Sequence, residues 1–340
     1  MPSAFFAPPF VASFHPFMKT AVLFIGFKRF EQSKAVFNAI RAAQPERLYF
    51  ACDGARPDEP EEAQAVARVR SLVDMIDWPC ELRTRFSDTN QNVKYGPHAA
   101  MDWFFAHEEE GIVLEDDCLP SPAWFRFASD LLERFRNDDR VWVIQGNNVM
   151  AEWESRNNDS YYFSAHGYGA YWGWASWRRV WSKYDLHMTD WPSVRDSGLL
   201  DGHFLSNSER NEAHYIFENT WNGSICTWDY QVDFGRWFHG MVNIIPAVNL
   251  VRNIGFGEDS THTGNITDPR NQPNLAELEF PLVHPKHMLV DNRRDLAYFE
   301  KYIEPGLLRW FKSLVKQSLP KEVDDAITPF LGNLQRKLGL

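Results

Sequence analysis

Glu115, Asp116 and Asp117 close a short apolar run, Gly111-Ile112-Val113-Leu114. A run of that kind reads as a buried strand. Three successive carboxylates cannot stay in an apolar interior without counter-charge, so the strand must deliver them to an edge, a metal ion or both. Oxygen-only clusters suit Mg²⁺ or Mn²⁺, which often reach a protein through one or two carboxylates plus substrate phosphates. The plainer alternative is a solvated strand end, or an acidic approach to the dipole of the next helix. That helix is announced by Pro120, Ser121 and Pro122 and begins near Ala123.

The elements that must position these acids follow a simple alternation. Strand signals at Thr20–Gly26, Arg47–Cys52, Glu81–Phe86, 111–114 and Val141–Gln145 are separated by helical patterns. The helical patterns cover Glu31–Ala43, Pro60–Asp74, Pro97–His107 and Ala123–Phe135. Strands alternating with helices of this length predict βαβ units, hence an α/β fold with a mostly parallel sheet flanked by helices. Ligands of such sheets bind outside the carboxyl ends of the strands. Arg29 follows the first strand, Asp53 the second, and the acidic triplet another, so polar groups converge on one sheet edge. Each has an ordinary alternative: Arg29 as a surface charge or the partner of Glu31, and Asp53-Gly54 as a turn pair. The chain has no G-x-G-x-x-G after its first strand and no P-loop.

After residue 146 the texture changes to Asn-rich loops and then an aromatic block. The block holds Tyr161, Tyr162, Phe163, Tyr168, Tyr171, Trp172, Trp174, Trp177, Trp181 and Trp191. Such rings are core material, and they also cover the apolar faces of sugars well. Residues 296–340 look helical, with breaks at Pro305 and Pro320. Within them Leu307, Leu308, Phe311, Leu314 and Val315 share a face beside Arg309, Lys312 and Lys316. That face suits packing on the domain or peripheral contact with a membrane surface through 307–319.

The bulk composition bounds the reading. With 35 Lys and Arg against 46 Asp and Glu, the net charge is −11, which argues against a nucleic-acid binder. The 44% hydrophobic and 15% aromatic content supplies a sizeable core. Cys52, Cys80, Cys118 and Cys226 are widely spaced, so neither a disulfide framework nor a zinc site is expected, and a reducing cytoplasm fits. Residues 1–18 carry no charged side chain and four prolines. They read as a disordered tail or as sequence upstream of a start at Met18. No apolar stretch reaches the roughly 18 residues of a membrane span.

Thr20 to Arg29 with Asp53, then G-I-V-L-E-D-D followed by Trp124-Phe125, resembles the GT-A nucleotide-sugar glycosyltransferases. The likeness is to the N-acetylglucosaminyltransferase family that extends mannose arms, and to related bacterial glycosyltransferases. Phe163 to Trp181, Trp228-Asp229 and Gly255-Phe256-Gly257 with Thr261-His262 fall in the order of that family's later motifs. The resemblance implies a GT-A domain over 19–290, with a donor half at 19–145, an acceptor half at 146–290 and a helical extension at 291–340. It implies that Asp117 holds Mn²⁺ or Mg²⁺, and that Glu115 and Asp116 face ribose and donor sugar. Asp53 would read the nucleobase, with uracil expected, and Arg29 would meet the diphosphate. Lys94 and His98 would line the same pocket, and Thr261 and His262 would lie on a closing loop. Asp229 would be the catalytic base, with Asp233 one turn later as its rival and a helix cap as its ordinary role. Trp174 and Trp228 are the expected acceptor contacts. The implied activity is inverting transfer from a nucleotide-sugar donor to a glycan or lipid-linked acceptor. A sugar-nucleotide nucleotidyltransferase and a carbohydrate-binding protein without turnover are the alternatives.

Overall fold

A computed structural model of the chain describes residues 18–150, 157–167, 171–256 and 274–303. Thr261, His262 and the segment 307–319 lie outside the described residues, as do residues 1–17. The first half runs β1 (Ala21–Gly26), α1 (Phe30–Ala43), β2 (Arg47–Cys52), α2 (Pro60–Arg70), β3 (Glu81–Phe86), α3 (Asn92–His107) and β4 (Glu110–Glu115). It continues with β5 (Cys118–Pro120), α4 (Pro122–Phe135) and β6 (Val141–Gln145). The second half adds β7 (Tyr161–Ser164), β8 (Trp174–Trp177), α5 (Arg178–Trp181), α6 (Trp191–Ser197), α7 (Asn207–Trp221) and α8 (Asp229–Phe238). It ends with β9 (Val242–Pro246), β10 (Val251–Asn253) and α9 (Asn292–Tyr298).

The central sheet has the order β3-β2-β1-β4-β8-β6-β9-β7. Its first four strands are all parallel, as the alternation of elements predicts. β8 enters antiparallel between β4 and β6, β9 lies parallel to β6, and β7 closes the far edge antiparallel to β9. This is a mixed α/β fold with a mostly parallel central sheet flanked by helices. β1, β2 and β4 are buried on both faces, which is why their sequences read as continuous apolar runs rather than alternations.

Helix α3 differs from its expected start. It begins at Asn92, five residues before Pro97, which lies inside it. Having no N–H, Pro97 cannot give the helical hydrogen bond to the residue four positions back, so the helix runs through it without that bond. Asn92, with φ +62°, is a residue type that enters the left-handed region easily. Its Oδ1 accepts the N–H groups of Lys94 (2.9 Å) and Tyr95 (3.3 Å).

Most of the aromatic block is core. Tyr161, Phe163, Tyr171, Trp174, Trp177 and Trp181 are buried, whereas Trp172 is half-buried. A second cluster packs Trp191, Phe217, Phe234 and Trp237 between α6, α7 and α8. It anchors α8 and so fixes where Asp229 emerges. Helix α9 is tied to the body by buried polar contacts. Ser164 Oγ donates to Asp295 (2.6 Å) and Arg294 donates to Asn148 Oδ1 (2.7 Å). Among the described residues no helix is long and apolar enough to cross a membrane.

Candidate active site

The acidic triplet leaves the core through a reverse turn. Glu115 ends β4, Asp116 and Asp117 form the corner, and β5 departs to pair with β10. Arg29, just beyond the carboxyl end of β1, meets this corner. Its Nη2 donates to Asp116 Oδ1 (2.7 Å) and Asp117 Oδ2 (2.9 Å). The backbone N–H of Phe27 adds a bond to Asp116 Oδ2 (3.3 Å). Burial pushes the Asp116 carboxyl up to about 6 against the pull of Arg29. Burial and the neighbouring charges of Asp117, Asp116 and Asp229 push Glu115 well above the carboxylate range. Burial disfavours the Arg29 cation, but Asp116 and Asp117 outweigh it and hold its pKa above the ordinary value.

The corner is therefore short of positive charge: Arg29 answers both Asp116 and Asp117, with the Glu115 carboxyl beside them. An all-oxygen donor set with that deficit fits Mg²⁺ or Mn²⁺. Among the described residues no group of three or more His, Cys, Asp or Glu could hold an ion alone. The fit is thus to an ion held by one or two carboxylates, with water and phosphate completing its shell. Gly255 backs this corner. A Cβ there would lie 2.5 Å from Arg29 Nη1 and within 2.8 Å of the Asp117 side chain, so any larger residue would have to push one of them aside.

A cleft of about 650 Å³ opens along the carboxyl ends of β1 to β4, with α3 as one wall. Arg29, Asp53, Glu115 and Asp116 all line it, so the structure brings these expected residues together. Asp117 is not among its lining residues; its side chain, 15% exposed, packs between Arg29 and the Gly255 backbone. Lys94 and His98 are not among its lining residues; Val93, Gly96, Pro97 and Ala100 form the α3 face there. Lys94 instead lies over the Tyr95 ring. His98 points to the opposite side, 3.2 Å from Asp102 and packed on Trp181 and Tyr184.

Asp53 has a structural role that its sequence context only half reveals. Its Oδ1 accepts the N–H groups of Gly54 (2.8 Å) and Gln91 (2.9 Å), and Oδ2 shares the Gln91 N–H (3.0 Å). Burial raises its pKa despite these bonds. The carboxylate thus holds the entrance of α3 against the end of β2. Arg70 adds a second stitch, donating to the carbonyl oxygens of Asp53 (3.2 Å) and Ser87 (2.5 Å). Sequence reasoning missed three cations of the cleft, Lys28, Arg56 and Arg85. Lys28 lies in the same strand-end loop as Arg29, which was the available signal; Arg85 sits inside a strand whose side-chain direction only the register settles.

Asp229, whose charge acts on Glu115, opens α8. Its Oδ1 accepts from the Thr227 hydroxyl and from the Tyr230 N–H (3.0 Å). Its Oδ2 has no hydrogen bond among the described residues. Asp233, one turn on, accepts from the Tyr171 hydroxyl (2.7 Å) and lies 3.6 Å from the buried Arg236. Burial pushes Asp233 up to about 6. Trp174 and Trp228 require a correction: they are 1% and 4% exposed and stack on each other, so neither offers a ring face to an acceptor. Burying two large rings against Phe105, Tyr171 and Trp181 is their role. The half-buried Trp172, edge-on to Phe256, is the aromatic ring beside the Gly255 corner.

No protein-family model and no curated protein matches the chain. Solved structures to which part of the chain is similar include a mannosyltransferase from Pyrobaculum calidifontis in complex with GDP-Man and Mn²⁺. It is 10% identical with a TM-score of 0.34, and the match covers 49% of this chain and 47% of that one. The chain thus spans about half the length of that mannosyltransferase. A UDP-glucose pyrophosphorylase complexed with UDP-glucose is 13% identical with a TM-score of 0.24, covering 43% of this chain and 62% of that one. A 4-diphosphocytidyl-2C-methyl-D-erythritol synthase from Anaerococcus prevotii is 7% identical with a TM-score of 0.30, covering 65% of this chain and 97% of that one. Likenesses of this size assign no activity to the chain.

Proposed function

We propose that the chain is a metal-dependent, inverting glycosyltransferase of GT-A type. It moves a sugar from a nucleoside-diphosphate donor to a hydroxyl of a glycan or lipid-linked saccharide. One observation carries this reading: a single cleft joins the Arg29 fork to the acidic corner of β4, with the open carboxylate of Asp229 beside that corner. Asp117, with Asp116 next to it, would hold Mg²⁺ or Mn²⁺. Bound there, the ion supplies Lewis-acid stabilisation of the charge gained by the departing diphosphate.

The chain's own groups do the rest. Arg29 offers a fixed fork to phosphate oxygens. Asp229, its Oδ1 held by Thr227 and Tyr230, presents Oδ2 as the base for the acceptor hydroxyl. The acceptor oxygen forms its bond to the anomeric carbon while the bond to the diphosphate breaks, and the hydroxyl proton passes to Asp229. A single displacement of this kind inverts the anomeric centre. The burial of Trp174, Trp177, Trp181 and Trp228 favours this reading over a carbohydrate-binding protein without turnover.

The test is a donor screen with UDP- and GDP-sugars, with and without Mn²⁺. Metal-dependent release of nucleoside diphosphate is expected. Formation of pyrophosphate from a nucleoside triphosphate and a sugar phosphate, with no diphosphate release from any donor, makes the chain a nucleotidyltransferase instead. Membrane contact through 307–319 and a cytoplasmic location belong to the same proposal. Loss of liposome flotation on removing residues 300–340 is the result expected of such contact.

A further inference from the structure

The register of the parallel strands places four residues in one row across the sheet. Arg85 of β3 pairs with Ala51 of β2, Ala51 with Ile25 of β1, and Ile25 with Glu115 of β4. Paired residues of parallel strands point to the same face, and all four line the cleft. The row therefore carries a guanidinium at one end, a carboxyl at the other and two apolar side chains between. Three strand spacings of ~4.8 Å separate its ends, ~14 Å in all.

The cations of this cleft differ in what already occupies them. Lys28 and Arg56 pair with Glu62, and Arg29 pairs with Asp116 and Asp117. Arg85 is half-buried at the β3 end, and among the described residues no side-chain hydrogen bond, ion pair or ring contact engages it. A guanidinium carries five donors and no acceptor, so an uncommitted one on a cleft floor is fitted to acceptor atoms of a ligand. Asp53, by contrast, already accepts backbone N–H groups on both oxygens.

We propose that Arg85 reads the nucleobase of the donor by hydrogen bonds to its carbonyl acceptors, while Asp53 is a positioning residue that holds α3 as the wall of the base pocket. This rests on the glycosyltransferase reading, which puts the diphosphate at Arg29 and the acidic corner. The base then falls over Ala51 and Ile25 toward Arg85. Small residues there, Gly26, Ala51, Gly96 and Ala100, leave room for a flat ring. A donor-only reader favours keto bases, whose edges present O4 or O6, over amino bases, whose edges present N–H₂ at the same place. The substrate class is therefore a keto-base nucleotide, uracil or guanine, rather than cytosine or adenine.

Titration calorimetry with UDP, CDP, GDP, ADP and inorganic pyrophosphate, all with Mg²⁺, tests this. In the wild type UDP should bind more tightly than CDP, or GDP than ADP, by about ten- to a hundredfold, the size of a charge-assisted hydrogen bond. Arg85→Met should bring that ratio to near one and leave pyrophosphate binding unchanged, with folding intact because among the described residues Arg85 supports no other side chain. Arg85→Lys should recover only part of the ratio, since it restores charge but not the fork. A ratio that survives Arg85→Met overturns the assignment, as does an equal loss of pyrophosphate binding, which would make Arg85 a phosphate contact. Binding of nucleoside diphosphates without keto preference overturns it alone; no binding of any of them overturns the glycosyltransferase reading as well.

Discussion

Asp229 and Asp233 sit one turn apart on α8, and the groups that already hold their oxygens separate them. Asp233 is engaged by Tyr171 and Arg236, so taking a proton there would disturb a buried network. Among the described residues, Asp229 keeps one oxygen without a hydrogen bond. Asp229→Asn is expected to retain nucleoside diphosphate binding and to lower turnover by about 10²- to 10⁴-fold, the usual worth of a general base. Asp233→Asn should lower turnover far less and act mainly on stability. Steady-state rates with calorimetric binding separate the two; unchanged turnover in Asp229→Asn excludes it as the base. Gly255 gives a second residue-scale expectation. In Gly255→Ala the new methyl group must displace Arg29 or Asp117. Thermal stabilisation by Mn²⁺ with UDP should shrink severalfold, while the melting temperature without ligand changes little. Full retention of the ligand-induced shift would mean that the corner tolerates the methyl.

At the scale of elements, the strands were the legible part. Arg47–Cys52 and Glu81–Phe86 fall where their apolar and β-prone residues place them, and Glu115 ends its strand as the apolar run requires. The start of α3 was not legible. Pro97 reads as a first-turn residue, and the contacts that allow an earlier start come from Asp53, 38 positions from Gln91. The row from Arg85 to Glu115 was hidden for the same reason, because register is a property of pairs of strands. The Trp-rich block showed its hydrophobicity but not its direction, and the insertion of β8 into the sheet interior is what turned Trp174 into the core. The α3 entrance yields an element-scale prediction. Asp53→Ala removes the acceptor of the Gln91 N–H, a cap-like loss that costs about 0.5–2 kcal/mol. Chemical denaturation should report that loss, and hydrogen exchange should show faster opening confined to the first turns of α3. Unchanged exchange there would contradict a positioning role for Asp53.

At the scale of the whole molecule, the loops that carry the cleft are held to the outer layer by one buried acid. Glu62 on α2 is 6% exposed. It accepts from Lys28 Nζ beyond β1 (2.7 Å), and from the backbone N–H and Nε of Arg56 beyond β2 (both 3.0 Å). The Arg56 hydrogen bond, outweighing burial and joined by Lys28, holds the Glu62 carboxyl at about 2, below its usual 4.5. A carboxyl lowered on folding stabilises the native state above its unfolded pKa, and that stabilisation fades as pH falls through the folded value. The contribution of Glu62 is therefore complete above about pH 4.5 and is lost between there and about pH 2. Both cationic partners are partly exposed, at 36% and 53%, and solvent screening keeps the effect near ~1 kcal/mol. Urea unfolding at pH 5 and again at pH 2.5 should show the wild type losing about that much more stability than Glu62→Gln. Two variants falling in parallel over this interval would show that the tie between α2 and the strand-end loops contributes nothing to acid sensitivity. The acidic corner of β4 could not replace it, because burial raises Glu115 and Asp116 on folding, and a raised carboxyl favours the native state as pH falls.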